Sequence, residues 1–100
     1  MLEHFHVPEE DAVRIMPNAL RRTVNELFLK MGMSDQDAWR STDVLLLSDT
    51  RGVDTHGVSN MMRRYIEMFG GGFINPVPNW KIIRETPTTA NVDCDRGLGI

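Results

Sequence analysis

From Leu20 onward the apolar side chains recur at helical spacing. Leu20, Val24, Leu27, Phe28 and Met31 fall at i, i+4, i+7, i+8 and i+11, one stripe along one face. Pro17 suits a first helical turn, where its missing N–H costs nothing, and Gly32 suits the stop. The spacing predicts a helix over 17–31. Before it, Val13-Arg14-Ile15 alternates and predicts a short strand.

A second helix is predicted over 35–50. Ser34 is placed to cap it, and acidic Asp35 and Asp37 in its first turn favour the helix dipole. It carries Ala38, Trp39 and Thr42, then the run Val44-Leu45-Leu46-Leu47. Four consecutive apolar residues wrap a helix all round, so burial on several sides is expected. Gly52 ends it. Asp54 or Thr55 is placed to cap a third helix over 56–69, whose apolar side is Val58, Met61, Met62, Tyr65, Ile66 and Phe69. His56, Asn60, Arg63 and Glu67 form the opposite stripe, with Arg64 beside it, and Gly70-Gly71-Gly72 terminates the element. At this spacing the methionines read as core filling.

The last thirty residues change character. Asn75-Pro76-Val77-Pro78 is a proline-stiffened connector, because a residue before proline avoids the helical region. Trp80–Arg84 and Ala90–Asp93 read as strands separated by Thr86-Pro87-Thr88. The expected class is α+β: a three-helix segment (1–70), then the connector and first strands of a larger α/β fold (71–100). The end at Gly97-Leu98-Gly99-Ile100 carries no stop signal and reads as a cut through a fold.

Composition narrows the function. The 100 residues are 41% hydrophobic and 25% charged, which is ordinary for a globular chain. A net charge of −3 without a block of Lys or Arg argues against a nucleic-acid or anionic-membrane partner. Cys94 is the one cysteine, so no internal disulfide or thiolate metal cluster forms. Met1–His6 has neither the basic region nor the apolar length of a signal peptide, and no segment has the roughly 20 apolar residues of a membrane span. A cytoplasmic protein is expected.

The candidate chemistry centres on Arg51-Gly52-Val53-Asp54-Thr55-His56-Gly57-Val58. A turn that holds an imidazole between two helices suits a proton-transfer group. Helix-opening N–H groups favour a neutral ring and attract carboxylates. Thr55 offers a hydroxyl to a substrate oxygen, and Arg63 or Arg64 can pair with an acid group. These residues describe a site for a small anionic molecule that exchanges a proton. The structural alternative is a free-standing helical binding module in which Asp54 and Thr55 only cap and His56 is a turn residue. His4 and His6 with His56 lack ligand spacing, and Asp43, Asp49 and Asp54 match no calcium loop, so no metal is expected. Gly97-Leu98-Gly99 after a strand is either the start of a dinucleotide fingerprint or a plain strand-to-helix turn.

The histidine motif resembles that of the type-2 malate/L-lactate dehydrogenase family, nicotinamide-dependent oxidoreductases of 2-hydroxy and imino acids with a non-Rossmann fold. Pro17–Gly52 is similar to that family's two opening helices, Gly72-Phe73-Ile74-Asn75-Pro76-Val77-Pro78 to its G-x-I-x-P-x-P connector, and Thr86–Gly99 to the strands that follow. The resemblance covers roughly residues 13–100. It implies that His56 is an acid/base group and that Thr55 contacts substrate. The family commonly has a carboxylate-binding arginine four residues after the histidine; here that residue is Asn60, with Arg63 and Arg64 one turn later. The resemblance also implies NAD or NADP as cofactor, a homodimer, and a chain about three times longer. On that reading this is the amino-terminal part, inactive alone, and the cofactor is bound by residues beyond Ile100.

Overall fold

The structure is a computed structural model that describes residues 7–100. His4 and His6 therefore lie outside the described residues. The chain forms α1 (Pro17–Lys30), α2 (Asp35–Thr50), a 3-10 turn (Asp54–His56), α3 (Val58–Gly70), β1 (Lys81–Glu85) and β2 (Ala90–Asp93). Three helices followed by a two-stranded antiparallel sheet make the expected α+β arrangement.

The apolar stripe of α1 is the centre of the core. Val24 and Phe28 are fully buried, while Leu20, Leu27 and Met31 pack beside them. From α2 come Ala38, Thr42, Leu45 and Leu46, and from α3 Met62 and Tyr65. The Phe28 and Tyr65 rings meet with centroids 6.4 Å apart. Ile74, in the connector, enters the same cluster, and Leu98 packs against it. Arg21 ties α1 to α2 twice, through an ion pair to Asp43 at 2.8 Å and by lying 5.0 Å from the Trp39 ring centre. Each contact is half-exposed and contributes on the order of 0.2–1 kcal/mol.

Each helix ends in the same way. After α2, Gly52 adopts φ +71°, its N–H donates to Asp49 O, and Val53 N donates to Ser48 O. This left-handed closure satisfies the last carbonyls and needs a residue without a Cβ. The residues Gly32 and Gly72 close α1 and α3 with equivalent bond pairs.

Four expectations are corrected. Val13-Arg14-Ile15 is not a strand: it is an exposed extended stretch that pairs with no strand among the described residues. Val44 and Leu47 are 42% and 43% exposed, and Trp39 is exposed as well. At 100° per residue the run points outward on both sides, and only Leu45 and Leu46 face the other helices. Ile66 lies off the buried side of α3 for the same reason. Finally, α3 begins at Val58, and neither Asp54 nor Thr55 caps it. Its cap residue is Gly57, extended at φ −88° and ψ −174°, with no side chain to offer. The acceptor comes from α2, where Asp49 Oδ2 takes the Val58 N–H at 3.0 Å. A Cβ on residue 57 would collide with that carboxylate.

Ser34 caps α2 as expected, accepting from Asp37 N at 3.2 Å. The sheet pairs Lys81 with Asp93 and Glu85 with Ala90, with an irregularity between Ile82 and Arg84. Thr86 and Thr89 close its turn through a 2.8 Å backbone bond and a 2.7 Å hydroxyl pair. Asp95 fastens the connector: its Oδ2 accepts from Asn75 Nδ2 at 2.9 Å and Asn79 N at 3.0 Å. Asp95 and Arg96 both hold positive φ, +48° and +56°. Non-glycine residues sustain that conformation only when surrounding bonds over-determine it. Asn75 N donates to Arg96 O at 3.0 Å, and the Arg96 guanidinium donates to Gly72 O at 3.2 Å.

Four outcomes follow from this packing. Leu45→Ala or Leu46→Ala is expected to destabilise by about 2–5 kcal/mol, the range for a truncated buried leucine, read from denaturant midpoints. Asp49→Ala is expected to cost about 0.5–2 kcal/mol, as for a lost cap. Gly57→Ala alone should cost more than it does in an Asp49→Ala background, because the clash disappears with the carboxylate. Additive losses in that double-mutant cycle would show that the two positions do not share the lock. Burial pushes the Tyr65 phenol above its ordinary value, partly opposed by the Arg64 charge. The folded state then holds the phenolic proton more tightly than the unfolded chain does. That contribution is fully present below about pH 10 and is lost as pH rises beyond it. Tyr65→Phe should flatten the alkaline limb of the stability–pH curve; an unchanged limb would remove Tyr65 as its source.

Candidate functional site

The short segment between α2 and α3 is held from several directions. Gly52 turns the chain off α2, and Val53 O accepts from His56 N at 3.0 Å to close the 3-10 turn. The Asp54 carbonyl accepts twice, from Gly57 N at 3.3 Å and from Asn60 Nδ2 at 2.7 Å. Asp49 then fixes where α3 begins. Within this frame Thr55 Oγ1 lies 2.8 Å from His56 Nδ1. Thr55 is half-buried, and the His56 residue is exposed. The ring therefore stands out from an anchored backbone with one nitrogen engaged.

The sequence-predicted site residues divide into three groups. Thr55 and His56 are joined directly. Asn60, in the first turn of α3, secures the backbone ahead of them. Arg63 points along the helix to Glu67, with Nε 3.1 Å from its carboxylate, and is 89% exposed. Arg64 is exposed and lies near enough to Tyr65 to act on its phenol.

Beside the turn lies a cleft of about 640 Å³, lined in part by residues ahead of α1. Val7, Ala12, Val13 and Arg14 line one side, and Asp49, Asp54, Ser59 and Asn60 the other. Of the predicted residues, only Asn60 lines it. Arg14 escaped the sequence reading, which placed it in a strand; its guanidinium pairs with Glu9 at 2.7 Å. No local pattern marks Arg14, since only the return of the chain across α2 and α3 brings it there.

Among the described residues no three His, Cys, Asp or Glu side chains are grouped to hold a metal, and no helix is long and apolar enough to cross a membrane. Gly97–Ile100 is not helical, and a Cβ on Gly97 would meet the Pro78 ring at 2.8 Å. Gly97 packs closely on the connector.

Relatives agree with this architecture. A malate dehydrogenase of Pyrococcus abyssi is 38% identical over 99% of this chain, and an L-sulfolactate dehydrogenase of Methanocaldococcus jannaschii is 34% identical over 85%. These matches span 27% and 24% of those proteins, so the chain is about a quarter of their length. The solved malate dehydrogenase of Pyrococcus horikoshii superposes with a TM-score of 0.84 at 34% identity, over 94% of this chain and 26% of that one. The malate/L-lactate dehydrogenase family itself matches residues 15–100, which takes in all three helices, the histidine turn, the connector and both strands. That continuous match, on a backbone the solved relatives share, makes this chain a member of the malate/L-lactate dehydrogenase family.

Proposed function

We propose that this chain supplies the proton-transfer group of a dehydrogenase that interconverts a small 2-hydroxy acid and its 2-oxo acid. The observation that carries this reading is the His56 ring, exposed on an anchored turn with Nδ1 held by Thr55. Malate and sulfolactate, named for the relatives, are both 2-hydroxy acids bearing a second anionic group. Oxidising such a substrate removes a proton from the hydroxyl and a hydride from the carbon. The imidazole accepts the proton in oxidation and returns it to the oxygen in reduction. NAD or NADP is the hydride partner in this reading and is held by residues other than those described. Asn60, Arg63 and Arg64 offer an amide and two cations on the exposed side of α3, suited to the substrate's carboxylates.

In the full-length enzyme, His56→Ala is expected to lower kcat by about 10²–10⁴-fold, the usual range for a positioned acid/base group. The thermal midpoint should change little, because the exposed ring contributes little to the core. His56→Asn keeps some hydrogen bonding without titration, so its kcat–pH profile should lose one limb. A variant that keeps both kcat and the parent profile would take His56 out of the chemistry.

A further inference from the structure

We propose that Thr55 is a positioning residue that holds His56 in its Nδ1–H tautomer, so that Nε2 is the atom exchanging the proton. This rests on the dehydrogenase reading above and deepens it.

The geometry begins at the backbone. The 3-10 bond from His56 N to Val53 O and the Asn60 amide on Asp54 O hold both sides of Thr55. Threonine is β-branched and restricted at χ1, so a fixed backbone narrows where its hydroxyl can point. That hydroxyl is 2.8 Å from Nδ1 and is not part of the cleft lining. A hydroxyl can donate or accept, and the chemistry decides which. For the ring to take a proton from a substrate hydroxyl, one nitrogen must carry a lone pair towards solvent. With Nδ1 facing Thr55, that nitrogen is Nε2, and the ring proton must sit on Nδ1 and be donated to Thr55 Oγ1.

The same bond serves both directions. In oxidation the substrate O–H bond breaks, its proton forms a bond to the Nε2 lone pair, and the ring becomes imidazolium. The hydride leaving the carbon would be taken up by the nicotinamide nucleotide of that reading, were it bound. In reduction Nε2–H gives its proton to the forming alkoxide and the ring returns to neutral. Nδ1–H donates to Thr55 throughout, so the hydroxyl need not turn over during the cycle. A free imidazole in water favours the opposite tautomer, with the proton on Nε2. Thr55 therefore has a definite task, because without it the lone pair lies on the nitrogen facing away from solvent. Charged groups on the adjoining elements include Asp54 in the same turn and Asp49 from α2, whose carboxylate is already committed to Val58 N–H.

The test uses the full-length enzyme with ¹⁵N-labelled histidine, the His56 signals being identified by their loss in His56→Asn. In the parent at a pH where the ring is neutral, Nδ1 should show the protonated and Nε2 the unprotonated chemical shift. Thr55→Val should reverse this pattern and lower kcat by roughly 10²-fold, the cost of a misplaced reacting group. KM should remain near the parent value, and the His56 limb of the kcat–pH profile should move. Thr55→Ser should restore the tautomer, kcat and pH limb together. A parent ring protonated on Nε2 would overturn the proposal. So would Thr55→Val raising KM with the tautomer and pH limb unchanged, which would make Thr55 a substrate contact. Either result would leave His56 as the acid/base group. Only an active His56→Ala enzyme would remove the underlying reading.

Discussion

The carboxylate of Asp49 reaches from the last turn of α2 to the Val58 N–H, 3.0 Å away, across a residue with no side chain to obstruct it. This bond does the work of a helix cap, yet its acceptor stands nine residues earlier and on another helix. It sets where α3 starts and therefore how much chain is left for the turn that presents His56. Gly57 is required by steric contact rather than by an unusual dihedral, since its backbone is extended. Gly52 is required by its dihedral, because a left-handed residue closes α2. The two glycines that bracket the histidine thus have different physical causes.

A second fastening lies at the other end of the molecule. Asp95 holds Asn75 and Asn79, Arg96 holds Gly72, and Gly97 packs on Pro78. These contacts keep Ile74 in the helical core and bring the chain beyond β2 back beside α3. The strained pair Asp95–Arg96 is sustained by the bonds it makes possible. Helices, connector and hairpin are thereby coupled, although the hairpin itself is exposed over its whole length. Its apolar side chains Ile82, Ile83 and Val92, with Trp80 before them, form no part of the helical core.

The histidine turn lies within the stretch matched by the malate/L-lactate dehydrogenase family, and the geometry adds detail there. The Thr55 hydroxyl engages one nitrogen of the exposed His56 ring, which in the proposed reading leaves the other for proton exchange. Arg63 is balanced by Glu67 and stands apart from the cleft, whereas Arg14 and Asn60 line that cleft together. Position along the chain and position around the site are therefore different orderings.

Much of the architecture was legible in the sequence. The stripe from Leu20 to Met31, the Ser34 cap, the glycine stops and the proline connector are local signals, and each forms as its spacing predicts. The histidine motif likewise identified the turn. Burial was legible only in part: period alone marks an apolar face but does not say how many neighbours cover it. Hence Leu45 and Leu46 are buried while Val44 and Leu47 are half-exposed. The tertiary structure alone decided the cap of α3, the approach of Arg14 to Asn60, and the packing role of Gly97. Each depends on atoms brought together across turns, where sequence distance carries no information about contact. The helices follow from local periodicity, but the surroundings of the histidine follow from how α2, α3 and the segment ahead of α1 are folded together.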